Sequence, residues 1–145
     1  MTLLVDIGNT RTKFCLSEQG KLSAVTSIEN AEMTRDFLQA EFLAESNILV
    51  ASVNNIERFN QIASWGADNG KTVQEIKTAS SAFGVSCAYQ TYQHLGIDRW
   101  LAILGAHKLY PHSNLLVVDA GTAVTIDVVS DSAEHLGGWI LPGVQ

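Results

Sequence analysis

Leu3-Leu4-Val5-Asp6-Ile7-Gly8-Asn9-Thr10, near the start of the chain, returns as Leu115-Leu116-Val117-Val118-Asp119-Ala120-Gly121-Thr122. With Asp6 set on Asp119, Gly8 falls on Gly121 and Thr12 on Thr125. Each copy is an apolar run that ends in Asp-x-Gly. The first then turns at Gly8-Asn9, residues that tolerate positive φ. Both copies continue into an alternating strand, through Thr12, Phe14 and Leu16 in the first and Val124, Ile126 and Val128 in the second. A repeat of strand, Asp-x-Gly turn and strand predicts two related lobes. Residues 1–113 would form the first, and residues 114–145 the start of the second, with the division near His112 to Asn114. A complete second copy would be much longer, so the chain reads as truncated in its second lobe.

Between the two copies the pattern alternates between helix and strand. Lys21 to Ser27 is expected as a third strand after the Gln19-Gly20 turn. Met33, Phe37, Leu38 and Phe42 predict a helix over 31–45. A strand over 47–53, a helix over 56–68 stopped by Asn69-Gly70, and a strand over 71–76 follow. Residues 78–93 lack a clean period and read as a long ordered loop, which in a compact domain is often functional. A third helix starts at Gly96, with Ile97, Trp100, Leu101, Leu104 and Lys108 on one face, and stops before Pro111.

The 145 residues carry 15 acidic and 9 basic side chains, a net charge of -6. That balance argues against a nucleic-acid partner, which needs a basic footprint. It leaves open phosphate binding through backbone N–H groups. No apolar run is long enough to span a membrane, so no membrane partner is expected. Cys15 and Cys87 have no CxxC spacing and read as reduced thiols. With no basic segment ahead of the first strand, the expected location is the cytoplasm. His94, His107, His112 and His135 show no metal-ligand spacing and read as surface or connector residues, and Trp65 and Trp100 as packing residues.

Three stretches can carry chemistry. In Asp6-Ile7-Gly8-Asn9-Thr10-Arg11-Thr12-Lys13, the turn can present backbone N–H groups, Thr10 a hydroxyl and Lys13 a cation, a cradle for nucleotide phosphates with Asp6 near their metal ion. Alone it could equally be an ordinary hairpin. The copy at Asp119 to Thr122 favours the cradle, because two such tips can clamp a polyphosphate. In Gly96-Ile97-Asp98-Arg99, the positive helix end favours an ionised Asp98, which can accept a proton from an attacking alcohol. Arg99 can bind a carboxylate or phosphate bidentately. The plainer alternative is a helix-stabilising Asp98 that pairs with Arg99. In Leu136 to Gly143, Gly137-Gly138 allow close backbone approach, or simply mark a bulge before the Pro142-Gly143 turn.

In this order the pieces resemble the type III pantothenate kinase family, of the sugar kinase and actin-like ATPase fold. The matching stretches are Asp6 to Thr10 with Lys13; Leu95 to Trp100; Val118 to Ala123 with Thr125 and Asp127; and Gly137-Gly138 with Pro142-Gly143. The resemblance implies an α/β, actin-like ATPase (ribonuclease H-like) fold with two duplicated lobes. It implies transfer of phosphate from ATP to pantothenate, the first step of coenzyme A synthesis, with Mg2+ and a monovalent cation, K+ or NH4+, by a homodimer. Asp6, Ile7, Gly8, Asn9, Thr10, Arg11, Thr12 and Lys13 would bind ATP together with Thr122. Asp119 would hold the monovalent cation. Gly96, Ile97, Asp98 and Arg99 would line the pantothenate site, with Asp98 as proton acceptor. The family's substrate-contacting Tyr lies seven residues before that Gly, which gives Tyr89, with Tyr92 as the neighbouring alternative. Cys87 and Tyr92 stand where the family often has Asn and Pro. A non-catalytic accessory factor of the same family, or another small-molecule kinase of the fold, is the alternative function.

Overall fold

A computed structural model describes residues 1–53 and 55–143. By internal packing the chain divides into two compact units, Met1–Ile76 and Lys77–Gln145. This division by packing differs from the division by repeat, because the third helix packs on strands of the second copy.

The first unit is a mixed sheet with two helices. Strands β1 (Thr2–Ile7) and β2 (Arg11–Glu18) form the expected antiparallel hairpin. β1 also pairs in parallel with β5 (Asn47–Ser52), and β5 with β6 (Thr72–Ile76). Parallel neighbours need crossovers, and these contain α1 (Arg35–Glu41) and α2 (Ile56–Asp68). Leu3, Val5 and Ile7 alternate inward along β1 and meet Ile48 and Val50, with Met33, Leu38, Phe42, Ile62 and Trp65 completing the core. Phe42 packs edge-on against Phe14, Phe37 and Trp65 at centroid distances of 5.2, 5.9 and 6.5 Å. Such pairs add about 1 kcal/mol each beyond the area they bury.

Two elements differ from expectation. The strand over 21–27 is split into β3 (Lys21–Leu22) and β4 (Thr26–Glu29), both on β2. The Ser23 N–H still donates to the Leu16 carbonyl (2.9 Å), but the Leu16 N–H donates to the Ser23 hydroxyl (3.0 Å), so a side chain takes one of the two ladder bonds at the break. The helix over 31–45 is shortened to α1, preceded by a 3-10 turn at Asn30–Glu32. Thr34 interrupts it by accepting from the Phe37 N–H (3.2 Å) as an N-cap, a bond that sets where the helix begins. By contrast α2 has the expected bounds. Asn55 caps its start, and Gly70, at φ +66°, follows its end.

The second unit holds β7 (Ser81–Ala82), β8 (Val85–Ser86), α3 (Ile97–Leu109) and the meander β9 (Leu115–Ala120), β10 (Ala123–Val129) and β11 (His135–Pro142). The expected loop over 78–93 contains the small β7–β8 hairpin, turned at Phe83-Gly84 with positive φ at both, and a 3-10 turn at Tyr92–His94. Strands of two residues are too short to show a period. α3 packs on β9 and β10. Ile97, Trp100 and Leu104 are buried as expected, but Leu101 and Lys108 are exposed, and Ile103 and Arg99 are buried in their place. Among the described residues no helix is long and apolar enough to cross a membrane.

Candidate functional site

The first-copy hairpin is held by a residue that sequence reasoning missed. Asn30 is buried, and its Nδ2 donates to the carbonyls of Gly8 (3.0 Å) and Asn9 (3.2 Å). Its Oδ1 accepts from the Thr12 hydroxyl (2.8 Å), and its backbone N–H donates to the Thr10 carbonyl (2.8 Å). One amide thus fixes the whole turn. Thr12 is fully buried and holds Asn30, while Ile7 is a core residue whose carbonyl accepts from the Val53 N–H. Gly8 closes the turn through its own N–H to the Arg11 carbonyl (3.0 Å). Arg11 is tied laterally to Glu29 and Ser27. Asn9 and Thr10 stand exposed at the tip, and Asp6 and Lys13 face each other in register, both exposed. A tip with a hydroxyl, a nearby cation and an anchored backbone suits a phosphate chain.

The second hairpin is one residue shorter. Asp6 pairs with Lys13, seven positions on, whereas Asp119 pairs with Thr125, six positions on. Thr125 therefore corresponds in register to Lys13, and the ungapped match of Thr12 with Thr125 ends at the turn. Asp119, Gly121 and Thr122 are exposed. A Cβ on Gly143 would lie 2.3 Å from the Thr122 carbonyl oxygen and 2.6 Å from that of Gly121, so only glycine lets the chain pass this tip.

The strongest cluster surrounds α3. Arg99 does not pair with its neighbour Asp98. Its Nε and Nη2 donate to Asp127 Oδ2 (2.9 Å) and Oδ1 (2.7 Å), a buried bidentate pair between α3 and β10. The same Oδ1 lies 2.9 Å from His135 Nε2. The Ala88 N–H donates to His135 Nδ1 (3.4 Å), which places the ring proton on Nε2 and makes it the donor to Asp127. His135 is 3 % exposed, so its reading as a surface or connector residue is corrected. The structure reverses the face read from alternation: Asp127 and Val129 are the buried residues of β10, Val124, Ile126 and Val128 are half-buried, and His135 opposes Val129. The Tyr89 ring stands edge-on to His135, with centroids 5.5 Å apart. Hydrogen bonding to Asp127 chiefly raises the Arg99 pKa above its ordinary value, against the lowering effect of burial, and Tyr89 adds to the rise.

An open cavity of about 500 Å³ adjoins this cluster, lined by Ala88, Tyr89, Gln90, Thr91, His94 and Arg99. Tyr89 and Arg99 thus share a wall, and Tyr92 is not part of it. Gly96 caps α3, Ile97 is buried, and Asp98 is exposed in the first turn. The Asp98 carboxylate folds back over Gly96, where a Cβ would lie 2.5 Å from Oδ1. Among the described residues no three His, Cys, Asp or Glu side chains gather as a metal cluster.

A sequence model of the type III pantothenate kinase family matches residues 2–145. Type III pantothenate kinases of Colwellia psychrerythraea and Pseudoalteromonas translucida are 40 % and 39 % identical over 145 residues. These matches cover the whole of this chain, and the chain spans 58 % and 57 % of their lengths. A solved Baf family structure from Campylobacter jejuni is 28 % identical, with a TM-score of 0.51, over 98 % of this chain and 55 % of that one. A Sinorhizobium meliloti protein, provisionally described as a 2-dehydro-3-deoxygalactonokinase, matches over 97 % of this chain and 53 % of its own, with a TM-score of 0.60 at 14 % identity. That likeness shows the fold alone, an α/β chain of the actin-like ATPase and sugar kinase fold. The chain belongs to the type III pantothenate kinase family.

Proposed function

We propose that the whole protein carrying this chain transfers the γ-phosphoryl group of ATP to the terminal hydroxyl of pantothenate, giving phosphopantothenate for coenzyme A synthesis. The observation that carries the reading is the family match across residues 2–145, which includes Asp98 and Arg99. Asp98 is the proton acceptor. As the pantothenate oxygen bonds to the γ-phosphorus, the bond to the leaving ADP breaks and the hydroxyl proton passes to the Asp98 carboxylate. A modest base suffices, because positioning and charge neutralisation do most of the work. Arg99 meets the carboxylate of pantothenate, and Tyr89, on the same cavity wall, packs against its body.

The residues from Asp6 to Lys13 bind ATP, with the Asn30-anchored tip contributing Thr10 and backbone groups, and Thr122 contributes from the second hairpin. Mg2+ fits beside Asp6, since it is commonly held by one carboxylate and the substrate's phosphates. K+ or NH4+ would be held at Asp119, an exposed carboxylate beside the turn of the second hairpin. When bound, these cations offset the charge of the triphosphate. The enzyme acts in the cytoplasm as a homodimer.

The Baf family likeness favours one rival, a non-catalytic accessory role. Incubation of the full-length protein with ATP, Mg2+ and pantothenate, followed by mass spectrometry of the small molecules, separates the two. A product heavier than pantothenate by one phosphoryl group supports the kinase; unchanged pantothenate with a folded protein supports the rival.

A further inference from the structure

We propose that His135 and Asp127 are positioning residues that lock the Arg99 guanidinium at the wall of the Tyr89 cavity, where it receives an anionic group of the acceptor substrate. The inference deepens the proposed function, and its substrate part rests on that reading.

Asp127 accepts three bonds, two from Arg99 and one from His135. Nε and Nη2 are thereby fixed, and Nη1 is left outside the bidentate pair. A guanidinium held at two of its three nitrogens by a carboxylate that His135 itself holds in place has little orientational freedom left to lose on binding, and a carboxylate freed from His135 would let it turn. His135 is held in turn. The Ala88 N–H donates to its Nδ1, and the Tyr89 ring stands edge-on at 5.5 Å and 89°. Ala88, Tyr89 and Arg99 all line the cavity, so the cavity wall and the buried pair share their parts.

The surrounding chain is shaped for this pair. A Cβ on Gly138 would lie 2.3 Å from Asp127 Oδ1 and 2.7 Å from Arg99 Nη2. A pair serving only to join α3 to β10 has no need of an opening at Arg99, and apolar side chains in its place are often as stable. The arrangement is that of supporting residues holding a binding group rigid.

The test uses the full-length protein with His135→Phe, which keeps a ring but removes the donor, and His135→Gln, which restores a donor near the Nε2 position. Two readouts are taken. Nitrogen NMR follows hindered rotation of the Arg99 guanidinium without substrate. Steady-state kinetics give KM for pantothenate, KM for ATP and kcat. Expected are a rigid guanidinium in the parent, a rotating one in His135→Phe, and a pantothenate KM raised about tenfold with ATP KM and kcat within about twofold, the size of one lost charge-assisted contact. His135→Gln recovers most of both effects. A guanidinium equally rigid in parent and His135→Phe overturns the proposal. So does a rise in both KM values together, or a fall in thermal stability with unchanged pantothenate KM. If the parent turns over no pantothenate, the proposed function fails, and NMR alone still decides whether His135 holds Arg99.

Discussion

Gly138 stands directly opposite Asp127 in the register of β11 on β10, and the space a methyl group would fill is taken by the Asp127 carboxylate and the Arg99 guanidinium. This glycine is therefore a packing requirement of the buried pair. The backbone carbonyl of Ile126 lies only 2.2 Å from the same Cβ position, so moving the two side chains would not be enough. Gly138→Ala is expected to cost about 2–4 kcal/mol, in the range of overpacked sites that also break a buried ion pair. Thermal and denaturant unfolding of the full-length protein measure it; a change within about 0.5 kcal/mol, the range of ordinary surface substitutions, would contradict the packing argument.

Asn30 offers a second test, at the turn proposed to hold the nucleotide. Asn30→Ala leaves the Thr12 hydroxyl buried without its acceptor and removes the donor that ties the Gly8 and Asn9 carbonyls. Unsatisfied buried groups cost about 1–3 kcal/mol each. The expected outcome is lower stability together with a higher KM for ATP, while KM for pantothenate stays close to the parent value. Equal rises in both would show that the turn does not serve the nucleotide in particular.

Asp98→Asn keeps the shape of the first turn of α3 and removes the proton acceptor. Turnover is expected to fall by a factor of about 10² or more, the usual contribution of a positioned general base. ATP affinity, measured by calorimetry, is expected to stay within about twofold. Near-parental turnover would remove Asp98 from the role of base.

Asp119→Asn keeps the hairpin, since the carboxylate is exposed at a strand end. It is expected to abolish the rise in activity on replacing Na+ with K+ while leaving the fold intact by circular dichroism. An undiminished potassium response would move the cation away from Asp119.

The parts legible in the sequence are those with local causes. The β1–β2 hairpin, α2 and the β9–β11 meander follow from alternation, caps and turn residues within a few positions of each element. Thr34 capping a shorter α1, and Ser23 breaking the strand before β4, are competitions between side chain and backbone that apolar periodicity does not register. The one-residue difference between the two Asp-x-Gly hairpins was hidden because the motifs align without a gap up to the turn. Asn30, Asp127 and His135 each depend on a partner far along the chain, although Asp127 and His135 also meet each other across eight positions. Asn30 reaches Thr12 across 18 positions, and Asp127 reaches Arg99 across 28. A histidine with no metal-ligand spacing gives no hint of burial until the strand carrying it is placed against its neighbours.

Pantothenate as the phosphoryl acceptor of the proposed reaction is tested by ADP release from the full-length protein with ATP and Mg2+, with and without pantothenate, in potassium and in sodium buffer. The expected result is ADP release that depends on pantothenate and is faster in potassium. A folded protein that binds ATP yet releases no more ADP when pantothenate is added would contradict it.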